Sequence, residues 1–491
     1  MIPVFENPAE AEKSVKEALS FPPFIMMENA SRSLSEKILE VWDSTESDFE
    51  SVIFLCGKGN NGADGLACAR MLYGKIPVYI YCPNFPKTEE GLIQTKMCRN
   101  LKIPFLSDNQ IIKTLSSKSQ KIICDCVFGT GFHGEIPEAW KKILEAANNS
   151  NALRIACDIS SGLSFNAHMT VTMGTWKTAL LSDKAKQVSG DITVSDLGIK
   201  QEMFNKAAGK TSCFIIEERD IKLPLRKESN SHKGTYGHSV VIAGEKSGAA
   251  VLSAEAAMNF GSGLTTILET SFSNLKQFKI SPELMISSTI PKTCKALQIG
   301  SGLGDTLSEN VRNIISTFET WFCKAKNPSC VIDADMFSFK ELPELLNTLN
   351  KVPEARIVLT PHAKELFLLT QSVLPDFAEE NQITDATSAL ENRIEIGRAF
   401  SKKYPDTVLV MKGANTFIAH KGETFIFKDG AQSLSKGGSG DVLAGMITSL
   451  LAQGYTAKDA AITAVFRHGS AASEYGKKAY NLTAKKLISL L

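Results

Sequence analysis

The segment Lys436-Gly437-Gly438-Ser439-Gly440-Asp441 packs small residues around one acid and runs into the apolar stretch Met446 to Leu451. Such a glycine loop opening a buried helix brings backbone N–H groups to the positive helix end, where an anionic phosphate is favoured. Asp441 at that entrance either caps the helix or acts as a base toward a hydroxyl beside the phosphate. A second loop, Cys56 to Gly65, follows an apolar run and holds Asn60, Asn61, Gly62, Ala63 and Asp64. A simple turn needs one Asx residue, so three within five positions point to a polar ligand site. A third cluster places Asp125 before Gly129-Thr130-Gly131-Phe132-His133-Gly134-Glu135, and a fourth is Asp158-Ile159-Ser160-Ser161-Gly162. Together Asn61, Asp125 and Ser161 offer hard oxygen ligands to a cation.

Toward the C-terminus the pattern repeats with different residues. Ile299 to Asp305 reads IGSGLGD, Val331 to Asp335 reads as a strand VIDAD, and Leu359 to Glu365 reads LTPHAKE. A helix beginning near Pro361 puts His362 and Glu365 on one face, where capping competes with a contact to ligand or metal-bound water. The buried run Val408 to Met411 ends in Lys412-Gly413-Ala414-Asn415-Thr416, suited to the phosphates of an adenine nucleotide. It lacks the Walker A spacing. Gly248 and Ala249, at a helix start, could face a ligand, whereas Gly261 and Gly263 suit tight helix–strand packing.

These loops must be positioned by strands. Candidate strands are 51–56, 77–81, 121–127, 154–158 and 167–173, with helical periodicity over 65–73 between the first two. Strands alternating with helices imply a parallel sheet covered on both faces, a Rossmann-like three-layer sandwich with ligands at the carboxyl strand ends. Residues 201–233 exchange apolar periodicity for charge, proline and serine, and mark a boundary. A second α/β pattern follows: strand 239–243, helix 249–260 and strand 264–268. The 491 residues exceed one ordinary core, so two large α/β domains are expected.

Composition excludes several classes. Hydrophobic residues make up 43% and charged residues 22%, as in globular protein, and the net charge of +1 argues against a nucleic-acid binder. Lysines 184, 186, 477 and 478 read as solvated helix faces. The first twenty residues carry acids and no apolar run, so neither a signal peptide nor a membrane span is expected, and the expected location is cytoplasmic. Eleven scattered cysteines lack metal-ligand spacing; Cys124 and Cys126 read as buried reduced thiols on one strand face.

The motifs GNNGADG, CDCVFGTGFHGE, CDISSGL and VSGDITVSDLGI, with MENAS near Met27, resemble those of the NAD(P)H-hydrate epimerase family, over residues 1–215. The resemblance implies that Asn60 to Asp64, Gly129 to Glu135 and Asp158 bind a hydrated nicotinamide cofactor, and that Asn61, Asp125 and Ser161 hold K+. Asp125 and Lys177 are its candidates for proton transfer, and Lys177 also reads as an ordinary solvated lysine. Ala63 and Ser160 depart from the family's glycine and proline. The later motifs AGEKSGA, IGSGLGD, VIDADMF, LTPHAKE, MKGANT and GGSGDVLAGMI resemble the ADP- or ATP-dependent NAD(P)H-hydrate dehydratases over residues 220–491, which implies a ribokinase-like fold. Carried over, Ala249, Gly302 and His362 contact the hydrate, Lys412, Gly413, Ala414, Asn415, Thr416 and Gly440 contact ADP or ATP, and Asp441 faces the substrate hydroxyl. Mg²⁺ accompanies the nucleotide, and a homo-oligomer is expected. AGEKSGA is shorter than the family's loop and lacks its tyrosine, and GSGD replaces GTGD. The rival reading is a small-molecule kinase, for a vitamin or sugar, fused to a nucleotide-binding scaffold.

Overall fold

A computed structural model of the chain describes residues 1–44 and 48–491. The chain divides into two compact units, one of residues 3–211 and one that comprises residues 1–2 and 212–491. No helix among the described residues is long and apolar enough to cross a membrane.

In the first unit six parallel strands form one sheet: β1 (Ser51–Cys56), β2 (Val78–Tyr81), β3 (Lys121–Cys126), β4 (Ala152–Cys157), β5 (Met169–Met173) and β6 (Asp191–Ser195). Their spatial order is β2-β1-β3-β4-β5-β6. β1 and β3 are buried along their whole length, as expected of strands covered by helices on both faces. Phe54, Ile122, Cys124 and Cys126 pack on one side, while Ile53, Leu55 and Ile123 pack on the other. Ten of the eleven cysteines are buried and all are free thiols; Cys323 is exposed. The helix after β1 begins at Asn60, five residues before the expected start, so Ala63 sits in ordinary helical backbone. Gly62 is required there: a methyl group on it would lie 1.8 Å from the Gly57 carbonyl oxygen. Short strands Ile2–Phe5 and Trp176–Lys177, absent from the sequence reading, pair in parallel and fix Lys177 at the edge of this unit.

The second unit carries ten strands: β7 (Cys213–Ile215), β8 (His238–Ile242), β9 (Leu264–Leu268), β10 (Met285–Ser287), β11 (Ala296–Ile299), β12 (Ser329–Ile332), β13 (Arg356–Leu359), β14 (Thr407–Met411), β15 (Thr416–His420) and β16 (Glu423–Phe427). The order is β10-β9-β8-β11-β12-β13-β14-β15-β16-β7, parallel except for the two antiparallel pairings that β15 makes with β14 and β16. β7, inside the first domain by the expected limit of 215, hydrogen-bonds to β16 of the second unit. The strand expected to run through Asp335 ends at Ile332; Asp333 and Asp335 lie in the turn beyond it, where Ala334 adopts φ +50°.

Helix α1 (Ser247–Asn259) and helix α2 (Ser439–Ala452) cross against each other and against the sheet. Eleven consecutive residues of α2, Val442 to Ala452, are buried, which fits an all-round apolar helix in a core. The contact is close because Gly445 has no side chain; a methyl group there would sit 2.1 Å from the Ser253 carbonyl oxygen. Gly445→Ala is therefore expected to cost about 2 kcal/mol, as overpacking against backbone does, and chemical denaturation of the purified chain measures it.

Candidate active sites at the carboxyl strand ends

In the first unit a cavity of about 1060 Å³ opens at the carboxyl ends of the strands. Asn60, Asn61, Asp64, Gly129, Thr130, Gly131, Phe132, His133 and Asp158, all named from sequence, line it, and so does Lys177. Gly62, Ala63, Gly134 and Glu135 are not on its wall. Lys177 is buried, so the solvated alternative fails, and its ammonium is paired with Asp158 and donates to Thr172 Oγ1 at 2.9 Å. Asp158 also accepts from the Met173 N–H at 3.1 Å. It holds φ +72°, a left-handed conformation that a non-glycine residue adopts at a cost and that recurs at functional sites. Burial and the Asp158 carboxylate push the Asp64 carboxyl well above its usual range. An acid pushed toward its protonated form and a lysine–carboxylate pair thus share one polar wall.

Asp125 is placed differently. Its carboxylate is fully buried and absent from the cavity wall; it accepts the Ser161 hydroxyl at 2.6 Å, the Ser161 N–H at 2.8 Å and the Val127 N–H at 3.2 Å. Burial raises its pKa to about 6 despite these bonds. The Ser161 oxygen in turn accepts the Phe128 N–H at 2.8 Å, which ties Asp125 to the glycine loop. Asn61 packs beside Gly129, and both atoms of its buried amide have no partner. Ser160, where a proline was expected, has φ −56°, a value proline itself adopts, and its hydroxyl bonds the Phe165 carbonyl.

In the second unit Ala249, Gly302 and Asp441 line one cavity of about 490 Å³ with Glu245, Lys246 and Asp335. Asp441 does not take the capping place weighed for it. Gly438, not Asp441, is the N-cap of α2, and no side chain caps that end. Burial and the Asp333 carboxylate raise the Asp441 pKa to about 6, partly offset by a hydrogen bond from Ser301. The Lys412 ammonium lies 3.1 Å from Asp333 Oδ1 and 3.5 Å from the point where a methyl group on Gly440 would sit, so the lysine and the glycine loop meet. Burial pulls its pKa down, but Asp333 and Glu365 outweigh that and leave it above the ordinary value. Asp333 also accepts from Thr360 at 2.7 Å and from Ser301 at 3.3 Å, and Gln298 donates to Ser301 at 2.9 Å.

His362 takes the capping role weighed for it. Its Nδ1 accepts the Lys364 N–H at 3.2 Å, while Glu365 accepts the His362 N–H at 2.8 Å. It is absent from the wall of the Asp441 cavity. Glu365, desolvated, titrates near about 7. Gly413 and Ala414 are exposed, the Asn415 carbonyl is held by Arg393 at 2.8 Å, and Thr416 opens β15.

Sequence reading missed His468, which sits in the apolar helix Ala457–Gly476 with no neighbouring motif to mark it. Its Nε2 lies 2.9 Å from the Ser439 carbonyl oxygen, which only accepts, so that nitrogen carries the proton. Burial lowers its pKa to about 4. The unfolded chain, with an ordinary histidine near 6.5, therefore binds more protons than the folded one between these values, and stability rises with pH through that window. Acidification from about pH 7 to 4.5 should cost up to about 3 kcal/mol through this residue, and His468→Gln, which keeps a donor, should lose less over the same range in urea titrations.

Comparison with known proteins agrees with both halves. The profile of the family described as NAD(P)H-hydrate dehydratase matches residues 239–491, and that of the YjeF-related protein N-terminus matches residues 23–179. The bifunctional NAD(P)H-hydrate repair enzyme Nnr of Helicobacter pylori is 36% identical, over 99% of this chain and 99% of its own. The protein of the same description from Dictyoglomus turgidum is 28% identical, over 98% and 95%. A crystal structure of the ADP/ATP-dependent NAD(P)H-hydrate dehydratase of Bacillus subtilis, crystallised with ATP and Mg²⁺, is 26% identical, covers 54% of this chain and 91% of that one, and superposes with a TM-score of 0.44. By its full-length identity and its two successive domain matches, the chain belongs to the family of bifunctional NAD(P)H-hydrate repair enzymes, with an epimerase half followed by a dehydratase half.

Proposed function

We propose that the second unit dehydrates the S form of NADHX or NADPHX by phosphorylating its hydroxyl from ADP or ATP. The observation that carries this is the placement of Asp441: its carboxylate is not used as a cap, lines the cavity of Ala249 and Gly302, and adjoins the loop that meets Lys412. Hydroxide is a poor leaving group from the carbon beside the ring nitrogen. Asp441 takes the hydroxyl proton as the oxygen attacks the terminal phosphorus and the bond from phosphorus to the departing nucleotide oxygen breaks. Lys412 and the N–H groups of Gly440 and Asp441 in the first turn of α2 hold the phosphates. Mg²⁺ bound with the nucleotide would supply further neutralisation of phosphate charge. The ring nitrogen lone pair then expels phosphate, and loss of a proton from the next carbon restores the reduced nicotinamide. A base titrating near about 6 makes the rate fall as pH drops through that value. Asp441→Asn is expected to lower dehydration at least about a hundredfold while leaving epimer interconversion unchanged, read from the absorbance of the reduced nicotinamide with ADP or ATP. Full activity in that variant would end the assignment.

The first unit is proposed to interconvert the R and S hydrates, which supplies the form the second unit uses. The two differ at the hydroxyl-bearing carbon. Asp64, whose carboxyl burial pushes toward its protonated form, donates to the hydroxyl as the ring nitrogen expels water, and water re-adds on the other face with its proton returned to the Asp64 carboxylate. The Lys177–Asp158 pair orients the ring and the water. The residues fit a monovalent cation: an amide oxygen of Asn61 that is buried without a partner stands beside the loop tied to Ser161 and Asp125, and all three offer hard oxygen. K+ held by Asn61, Asp125 and Ser161 would steady the glycine loop electrostatically. Lys177→Met should abolish interconversion followed by chromatography of the epimers, and replacing K+ by Na+ should slow it in the wild type but not in Asn61→Ala.

A further inference from the structure

The first cavity is far larger than one hydrated ring needs, and its remaining wall has a definite chemistry. The rings of Phe128 and Phe132 stack with centroids 4.0 Å apart; Phe128 meets Trp140 at 6.4 Å, and Trp140 meets Tyr81 edge-on at 5.5 Å. The Tyr81 hydroxyl then donates to Asp108 Oδ1 at 3.1 Å. All five residues line the cavity. At the other end Gly129, next to Phe128, faces Asp158: a methyl group on it would lie 3.4 Å from Asp158 Oδ2. An unbroken aromatic run therefore leads from the Lys177–Asp158 pair to a carboxylate.

The sheet sets the length of that run. Tyr81 ends β2 and Asp158 follows β4, with β1 and β3 between them, so the two ends are three strand spacings apart, roughly 14 Å. Midway, at the end of β1, stands the Gly57–Asn61 loop with the N-terminus of the helix Asn60–Leu72, the place for a pyrophosphate. Lys58 on that loop lines the same cavity.

We infer that the aromatic wall binds the adenosine end of the dinucleotide hydrate, and that the Tyr81–Asp108 pair selects a free ribose 2′-hydroxyl over a 2′-phosphate, making NADHX the preferred epimerase substrate. The inference rests on the assignment of this cavity to hydrate interconversion. Flat bases stack on aromatic faces with little regard to sequence, and Asp108, which opens the helix Asp108–Ser116 and is held beside the end of β2 by Tyr81, presents a carboxylate that accepts from a 2′-hydroxyl and repels a phosphate dianion, as the acid beside the second strand of a dinucleotide-binding βαβ unit does. The bond from Tyr81 fixes the orientation of Asp108, whose other oxygen is left for the ribose.

Interconversion of NADHX and NADPHX by the full chain, without ADP or ATP so that the dehydratase is silent, gives kcat/KM for each hydrate. The wild type is expected to favour NADHX at least about fivefold. Asp108→Asn, at an exposed position, should bring the ratio toward unity by lowering KM for NADPHX, and Trp140→Ala should raise KM for both hydrates about tenfold with kcat unchanged. No preference in the wild type, or a ratio unmoved by Asp108→Asn, overturns the inference while leaving the epimerase assignment intact. If neither hydrate interconverts, the assignment of the cavity fails, and quenching of Trp140 fluorescence still decides the subsite. Quenching lost in Trp140→Phe, and stronger for ADP-ribose than for its 2′-phosphorylated counterpart, supports the subsite; equal quenching overturns it.

Discussion

The second site depends on one buried charge balance. Asp333, exposed only 2%, and Asp441 are both acids in a partly desolvated pocket, and burial together with the Asp333 carboxylate makes Asp441 harder to ionise. Lys412 offsets them: its ammonium touches Asp333 and reaches within 3.9 Å of Glu365. Isolated charges in such a place would be neutralised by proton transfer, so the three carboxylates remain useful only as a set around the lysine. The hydroxyls of Thr360 and Ser301 and the amide of Gln298 complete the network, and Ser253 links it to the backbone of Asp441. The close crossing of α1 and α2 at Gly445 brings Ser253 into reach. Packing of small residues thereby sets the electrostatics around Asp441.

The first site solves a related problem differently. Its lysine and aspartate neutralise each other directly, and the neighbouring Asp64 is pushed toward its protonated form. Asp125 is buried a layer deeper and satisfied by three bonds from Ser161 and Val127, so it organises the loop rather than facing the cavity. Both sites lie at the carboxyl ends of parallel strands, where the backbone of each strand runs out and side chains from successive loops converge.

Much of the scaffold was legible. Periodicity placed β1 and β9 at their observed limits and the other strands it marked within about three residues, because strands buried on both faces must be apolar throughout, while β10, β11, β13, β15 and β16 were not marked. The short strands Trp176–Lys177 and Asp191–Ser195 were not, since edge pieces that are partly exposed carry mixed residues with no such signature. The helix start at Asn60 was set late by five residues, because glycines read as loop while tertiary contacts held them in the first helical turn, whereas Asp441 was placed at a helix entrance that lies two residues earlier, at Ser439. Among site residues, Asn61, Asp158 and Gly302 announced themselves as polar or glycine positions just after strands, and Asp441 as the acid of a glycine loop that opens a helix.

His468, Tyr81 and Trp140 gave no such signal, for each looks like ordinary helix or strand content until distant chain segments close on it. What the sequence by itself determined is therefore the pair of α/β units, the strand-end loops and the family they match, since these follow from local periodicity and from short motifs. What only the tertiary structure decided is which side chains share a cavity. Capping went to Gly438 and His362 instead of Asp441, Lys177 was drawn from solvent onto Asp158, and Asp125 was buried behind its loop. These outcomes turn on desolvation and on contacts between residues tens to hundreds of positions apart, which spacing along the chain does not encode.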